Sequence, residues 1–127
     1  MLYVEYNEFL TKIFELDEDV RFVGMYRSDF SVITDSYQPS KYGLSHLSRE
    51  EMKDSVRYDM KRWDTYKLFH KQLGETLFAM VKFEKTILLT FSINRDEYLR
   101  VSLEPNADYK KIISAIESLI MKNPVIT

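Results

Sequence analysis

Hydrophobic and polar positions along this chain repeat with two different periods, and the switches between them mark out its elements. From about Tyr3 to Asp17, the residues Tyr6, Phe9, Leu10, Ile13 and Leu16 recur three and four apart, with Glu5, Glu8, Lys12 and Glu15 on the opposite side. That spacing predicts an amphipathic helix lying on an apolar surface. Between Val20 and Tyr26 the period changes: Val20, Phe22 and Tyr26 fall on one side, Val23 and Met25 on the other, and Gly24 interrupts the first. Apolar residues on both sides predict a strand covered on both faces. Arg27-Ser-Asp29 reads as a polar turn, and Ser31 to Asp35 as the strand that returns from it, which makes a hairpin.

Ser36 to Leu47 has neither period and holds a proline and a glycine, as a loop should. Ser48-Arg-Glu-Glu51 then forms a capping box, in which the Ser48 hydroxyl accepts from the amide of residue 51 and Glu51 reaches back to the amide of 48. Leu47 and Met52 occupy the flanking staple positions. No breaker follows before Gly74, so the pattern predicts one continuous helix, with Met52, Val56, Met60, Trp63 and Leu73 on its main apolar face and Tyr58, Tyr66 and Phe69 on an adjacent stripe. About 25 residues of helix span roughly 38 Å, whereas a strand of seven or eight residues spans about 25 Å. The excess has to bend, enter solvent or pack on another subunit. Three strands are predicted next, over Glu75–Phe83, Thr86–Ile93 and Glu97–Leu103, turning at Glu84-Lys85 and at Asn94-Arg-Asp96. A last helix begins at a cap on Asn106 or Asp108, carries Ile112, Ile116 and Leu119 with Ile113 and Ile120 beside them, and stops at Asn123-Pro124.

These elements predict an α+β fold in which helices cover an antiparallel sheet. The order helix, hairpin, long helix, three-stranded meander, helix resembles the roadblock (dynein light chain) family within the profilin-like group, over nearly the whole chain. The stretch Arg62-Trp63 through Leu73-Gly74 to Phe83-Glu84-Lys85, and then Val101 to Asp108, is also similar to uncharacterised archaeal proteins of this architecture. The resemblance implies a five-stranded antiparallel sheet in order 2-1-5-4-3, with the first and last helices on one face and the long helix on the other. It implies a homodimer in which long helices pair and the strand holding Phe78 and Met80 meets its symmetry mate. It also implies a small GTPase, or a trafficking or cytoskeletal assembly, as the class of protein partner.

Composition narrows the chemistry. The 127 residues suit one domain, 1–127, with a core that needs no staples, and the absence of cysteine removes disulfide and thiolate chemistry. The start of the chain lacks a signal-peptide pattern and no run is apolar enough to cross a bilayer, so a soluble, cytoplasmic protein with no membrane partner is expected. A net charge of −2 gives no general attraction to nucleic acid. His46 and His70 lack acidic companions at metal-binding spacing, no G-x-S-x-G or phosphate-binding glycine loop occurs, and Asp17-Glu18-Asp19 and Asp35 lack the alternation of a calcium loop. A non-enzymatic protein without a cofactor or metal is therefore expected.

Three surfaces remain as candidates. Arg49, Lys53, Arg57 and Lys61 step by four along the long helix and form either a solvated face, with ion pairs to interleaved acids, or a surface for an acidic partner. Tyr37, Tyr42 and His46 on the irregular segment either anchor that loop or line a small-molecule pocket between it and the sheet, as in a sensor domain. Tyr58, Trp63, Tyr66, Phe69, Phe78 and Met80 are the expected dimer surface, Trp63 being assigned to the core or to the dimer core. The apolar pair Phe78 and Met80 lies on a strand that invites association unless something covers it.

Overall fold

The apolar stripe of the first segment folds as α1 (Tyr6–Phe14), which buries Phe9, Leu10 and Ile13. The computed structural model describes residues 5–41 and 43–122; the expected helix start at Tyr3, the side chain of Tyr42 and the Asn123-Pro124 stop lie outside them. After α1 come β1 (Val20–Arg27), β2 (Val32–Tyr37), a 3-10 turn (Pro39–Lys41), α2 (Arg49–Lys67), α3 (His70–Leu73), β3 (Phe78–Lys82), β4 (Ile87–Ser92), β5 (Glu97–Leu103) and α4 (Tyr109–Lys122). The strands form one antiparallel sheet in the order β2-β1-β5-β4-β3, the order that the roadblock resemblance implied.

Register assigns the two faces. Leu89 lies opposite Met80 on β3 and Val101 on β5, and Val101 lies opposite Val23 on β1. With Met25, Phe91 and Leu99 these residues make a core against Phe9 and Ile13 of α1 and Ile112 and Ile116 of α4. The alternate positions, Tyr26 and Tyr98, face Val56, Met60 and Trp63 of α2. β1 is therefore buried on both sides, as its double apolar pattern predicts. A β-bulge between Met25 and Tyr26 accommodates the turn to β2, where Phe30 adopts a positive φ of 75°. Gly24 has a steric reason: the Tyr26 ring folds back along the strand, and a Cβ at position 24 would lie 2.6 Å from it.

The helix after Ser48 is not a single rod. Its start is as expected, with Ser48 Oγ accepting from the Glu51 amide at 3.1 Å and Glu51 accepting from the Ser48 amide at 2.9 Å. Its end is earlier. The amides of Leu68 and Phe69 bond to the carbonyls three residues back, Thr65 and Tyr66, and Phe69 leaves helical geometry with φ −109° and ψ 2°. The single turn of α3 follows, and Gly74, with φ 84°, stops it. The physical reason is loss of support. Trp63 is the last fully buried residue of α2, and beyond it Leu68 and Leu73 are exposed, so no core surface holds the backbone straight. The 19 residues of α2 span about 28 Å, close to the length of β1. Excess helix length thus offers no argument for a second subunit. Among the described residues no helix is long and apolar enough to cross a membrane.

Candidate functional site

One charged cluster fastens α2 to the sheet. Arg100 on β5 is buried beneath the helix, where its Nε donates to Asp59 Oδ2 at 2.7 Å and its second terminal nitrogen donates to Ser55 Oγ at 2.6 Å. Asp59 also accepts from Arg62 at 2.7 Å, and the Arg100 guanidinium lies 5.8 Å from the centre of the Tyr26 ring. Burial in this layer pushes the Tyr26 hydroxyl well above the ordinary tyrosine range. The Tyr26 hydroxyl and Trp63 Nε1 are buried without a hydrogen-bond partner among the described residues. In the sequence, Asp59 reads as one of the acids diluting a basic surface. A signal for its burial is present there, because Asp59 sits three and four residues from Val56 and Trp63, on the buried face.

The residues expected at a dimer surface separate into two groups. Phe78 and Met80 project from β3 onto the face shared with α1 and α4, each about 40% exposed at the rim of that core, and among the described residues no strand pairs with the outer side of β3. Tyr58 and Phe69 are exposed as well, and Tyr66 is half-buried. Leu68, Leu73, Leu77 and Phe83 add exposed apolar side chains. Of the two places expected for Trp63 the structure has the core and not the dimer surface: at 3% exposure it is enclosed within the chain, its ring centroid 5.1 Å from that of Tyr98 and 6.2 Å from that of Tyr66.

The basic residues Arg49, Lys53, Arg57 and Lys61 are all exposed along α2. Arg57 pairs at 4.0 Å with Asp54, and Lys61 lies 5.7 Å from the Tyr58 ring centre. Arg49, Lys53 and Arg57 form one rim of a cleft of about 870 Å³ whose other rim is β2. Asp35 lies within it, and burial raises its carboxyl above the usual range while Arg49 opposes that shift.

A second, smaller cavity of about 360 Å³ lies between the start of α2, the sheet and the segment ending at Leu47. Tyr37 and His46 both line it, and Tyr37 stacks near Phe22 with ring centroids 4.8 Å apart. Glu104 secures the segment, accepting from Arg21 at 2.5 Å and from Lys41 at 3.1 Å, while Arg21 also donates to the Leu44 carbonyl. The two cations hold the Glu104 carboxyl below its usual range. His70 takes no part in this site. Its Nε2 accepts from the Thr76 amide at 3.2 Å and lies 2.8 Å from the Thr76 hydroxyl, tying α3 to the approach to β3. Among the described residues no three histidine or acidic side chains converge as a metal site would require.

This arrangement of sheet, helices and exposed edge has close counterparts among solved structures. The gliding protein MglB from Thermus thermophilus superposes with a TM-score of 0.69, at 12% identity over 91% of this chain and 82% of that one. A Roadblock/LC7 domain from Streptomyces avermitilis gives 0.65, at 10% identity over 91% and 95%. The fold is roadblock-like. A further MglB structure, described as a tetrameric arrangement, gives 0.68 at 13% identity over 91% and 85%. No family model matches the sequence, and no curated protein does. At 10–13% identity the likeness is one of fold.

Proposed function

We infer that this chain is a non-enzymatic interaction module that works as a homodimer and presents a composite surface to another protein. The observation that carries the reading is the outer edge of the sheet. β3 offers unpaired backbone groups together with Phe78 and Met80, and Phe69, Leu73 and Leu77 stand exposed close to it in the chain. A strand edge flanked by apolar side chains is a template for a second copy unless it is covered. An MglB of the same fold is described with a tetrameric arrangement, which supports self-association of a chain of this fold.

The partner surface in this reading is the cleft between the basic rim of α2 and β2. Arg49, Lys53 and Arg57 supply positive charge there above an apolar floor of Phe22, Tyr26 and Val56. Such a cleft suits an acidic, partly apolar protein segment, and steering by the three cations would make association sensitive to salt. A small GTPase or a trafficking or cytoskeletal component is the partner class that goes with the roadblock resemblance.

Sedimentation equilibrium at micromolar concentration tests the dimer. A mass of twice one chain is expected for the wild type. Met80→Glu should return the mass of one chain with the fold retained, because it places a charge in an apolar seam. A wild-type monomer across that range, or a Met80→Glu protein that still forms dimers, removes the proposed interface.

A further inference from the structure

The cavity at the start of α2 has walls and a floor of opposite character. Phe22, Leu47, Met52, Phe83 and Leu88 make the walls apolar. Arg100, 2% exposed, stands at the floor. A guanidinium has five N–H donors, and those of Arg100 are incompletely used. Nε is satisfied by Asp59 and one terminal nitrogen by Ser55, whereas the other has the thioether of Met52, at 3.7 Å, as its acceptor among the described residues, with the Tyr26 ring beside the guanidinium. Sulfur is a weak acceptor. Both Met52 and Ser55 are themselves wall residues, so this edge of the guanidinium faces the cavity.

Charge points the same way. Of the charged residues that line the cavity, Arg21, Lys85 and Arg100 are basic and Glu84 alone is acidic. Asp59, which pairs with Arg100, and Glu104, which pairs with Arg21, are not part of the lining. Arg100 has its counterion in Asp59, but a buried N–H donor without a good acceptor costs free energy until one completes it. The volume of about 360 Å³ falls at the lower end of small-molecule sites.

We propose that this cavity binds a small apolar monocarboxylate, with its carboxylate on the free edge of Arg100 and its hydrocarbon body between Phe22, Leu47, Met52 and Leu88. The site is independent of the dimer reading, since none of these residues lies on β3. Because Leu47 sits directly before the Ser48 cap and Tyr37 ends β2, occupancy would brace the segment that borders the basic cleft, and so connect ligand to partner surface.

Isothermal titration of the whole chain with octanoate, 1-octanol and inorganic phosphate tests the proposal. Octanoate should saturate one site per chain, at least about tenfold tighter than octanol, because a charge-assisted hydrogen bond separates them. Phosphate, lacking the apolar body, should not saturate over the same range. Leu88→Trp fills the cavity without touching Arg100, and should weaken octanoate at least about tenfold while the circular dichroism spectrum stays that of the wild type. Arg100→Lys should shrink the preference for octanoate over octanol. No saturable octanoate binding overturns the proposal, as does equal affinity for octanol. Octanoate binding that ignores Leu88→Trp also overturns it, and places the molecule on the exposed apolar edge instead. If Arg100→Lys or Leu88→Trp fails to fold, the wild-type preference and Ser102→Leu, which fills the cavity from β5, decide the matter.

Discussion

Asp59→Ala is the sharpest test of how the layers are joined. In the wild type the side chains of Arg100 and Asp59 are 2% and 6% exposed and meet at 2.7 Å. The substitution deletes the only carboxylate that pairs with Arg100 among the described residues, leaving a buried guanidinium with a hydroxyl, a thioether and the Tyr26 ring. Breaking one side of a buried pair costs about 3–5 kcal/mol, since the surviving charge remains desolvated. Against a total stability of roughly 5–15 kcal/mol for a domain, that is a large fraction. For a chain of this size each kcal/mol moves Tm by about 3–5 °C, so the melt should fall by roughly 9–25 °C. Urea denaturation followed by circular dichroism at one fixed protein concentration measures the loss directly. Asp64→Ala supplies the control, because its pair with Lys67 at 3.4 Å is exposed on both sides and should change stability by less than about 0.5 kcal/mol. Replacing both partners, Asp59→Leu with Arg100→Met, should recover most of the loss by removing the charge as well as its counterion. If Asp59→Ala matches the Asp64→Ala control within about 1 kcal/mol, Arg100 is not confined beneath α2 and the account of the interlayer contact is wrong.

Other substitutions probe separate features. Gly24→Ala should destabilise by about 1–3 kcal/mol in a urea melt, since its Cβ would press on the Tyr26 ring and displace it from the α2 layer. Ser48→Ala should cost about 1 kcal/mol, read as a lower urea midpoint, because it removes the hydroxyl that accepts from the Glu51 amide while the amide of residue 48 can still donate to Glu51. Asp35 has a folded-state pKa raised by burial, so ionising it works against folding: that penalty is absent below the unfolded-state pKa and grows as pH rises through the folded one. Asp35→Asn should therefore raise Tm at pH 7, with the gain over wild type vanishing below about pH 4; an equal gain at both ends would show that ionisation is not the cause.

Element order, helix faces and strand faces were legible in the sequence because they depend on local periodicity. Apolar residues three and four apart must share a helix face, and alternate residues must share a strand face. The Ser48 cap was legible for the same reason, since all its partners lie within three residues. The order of the strands came through resemblance, and the tertiary structure has the same order.

What periodicity could not supply was whatever depends on elements distant in the chain. Nothing local at Leu68-Phe69 breaks a helix; α2 ends there because burial against the core stops after Trp63 and Tyr66, and Leu68 is exposed. Trp63 and Tyr58 carry similar apolar weight in the sequence, yet one is enclosed by Tyr98 and Tyr66 and the other is 60% exposed. Asp59 reads as one more surface acid until Arg100, 41 residues away, is brought against it. The sequence by itself determined which residues can share a face, a matter of backbone geometry over a few residues. Only the tertiary structure decided which faces are covered and where a buried charge finds its partner, because burial is a property of the assembled layers.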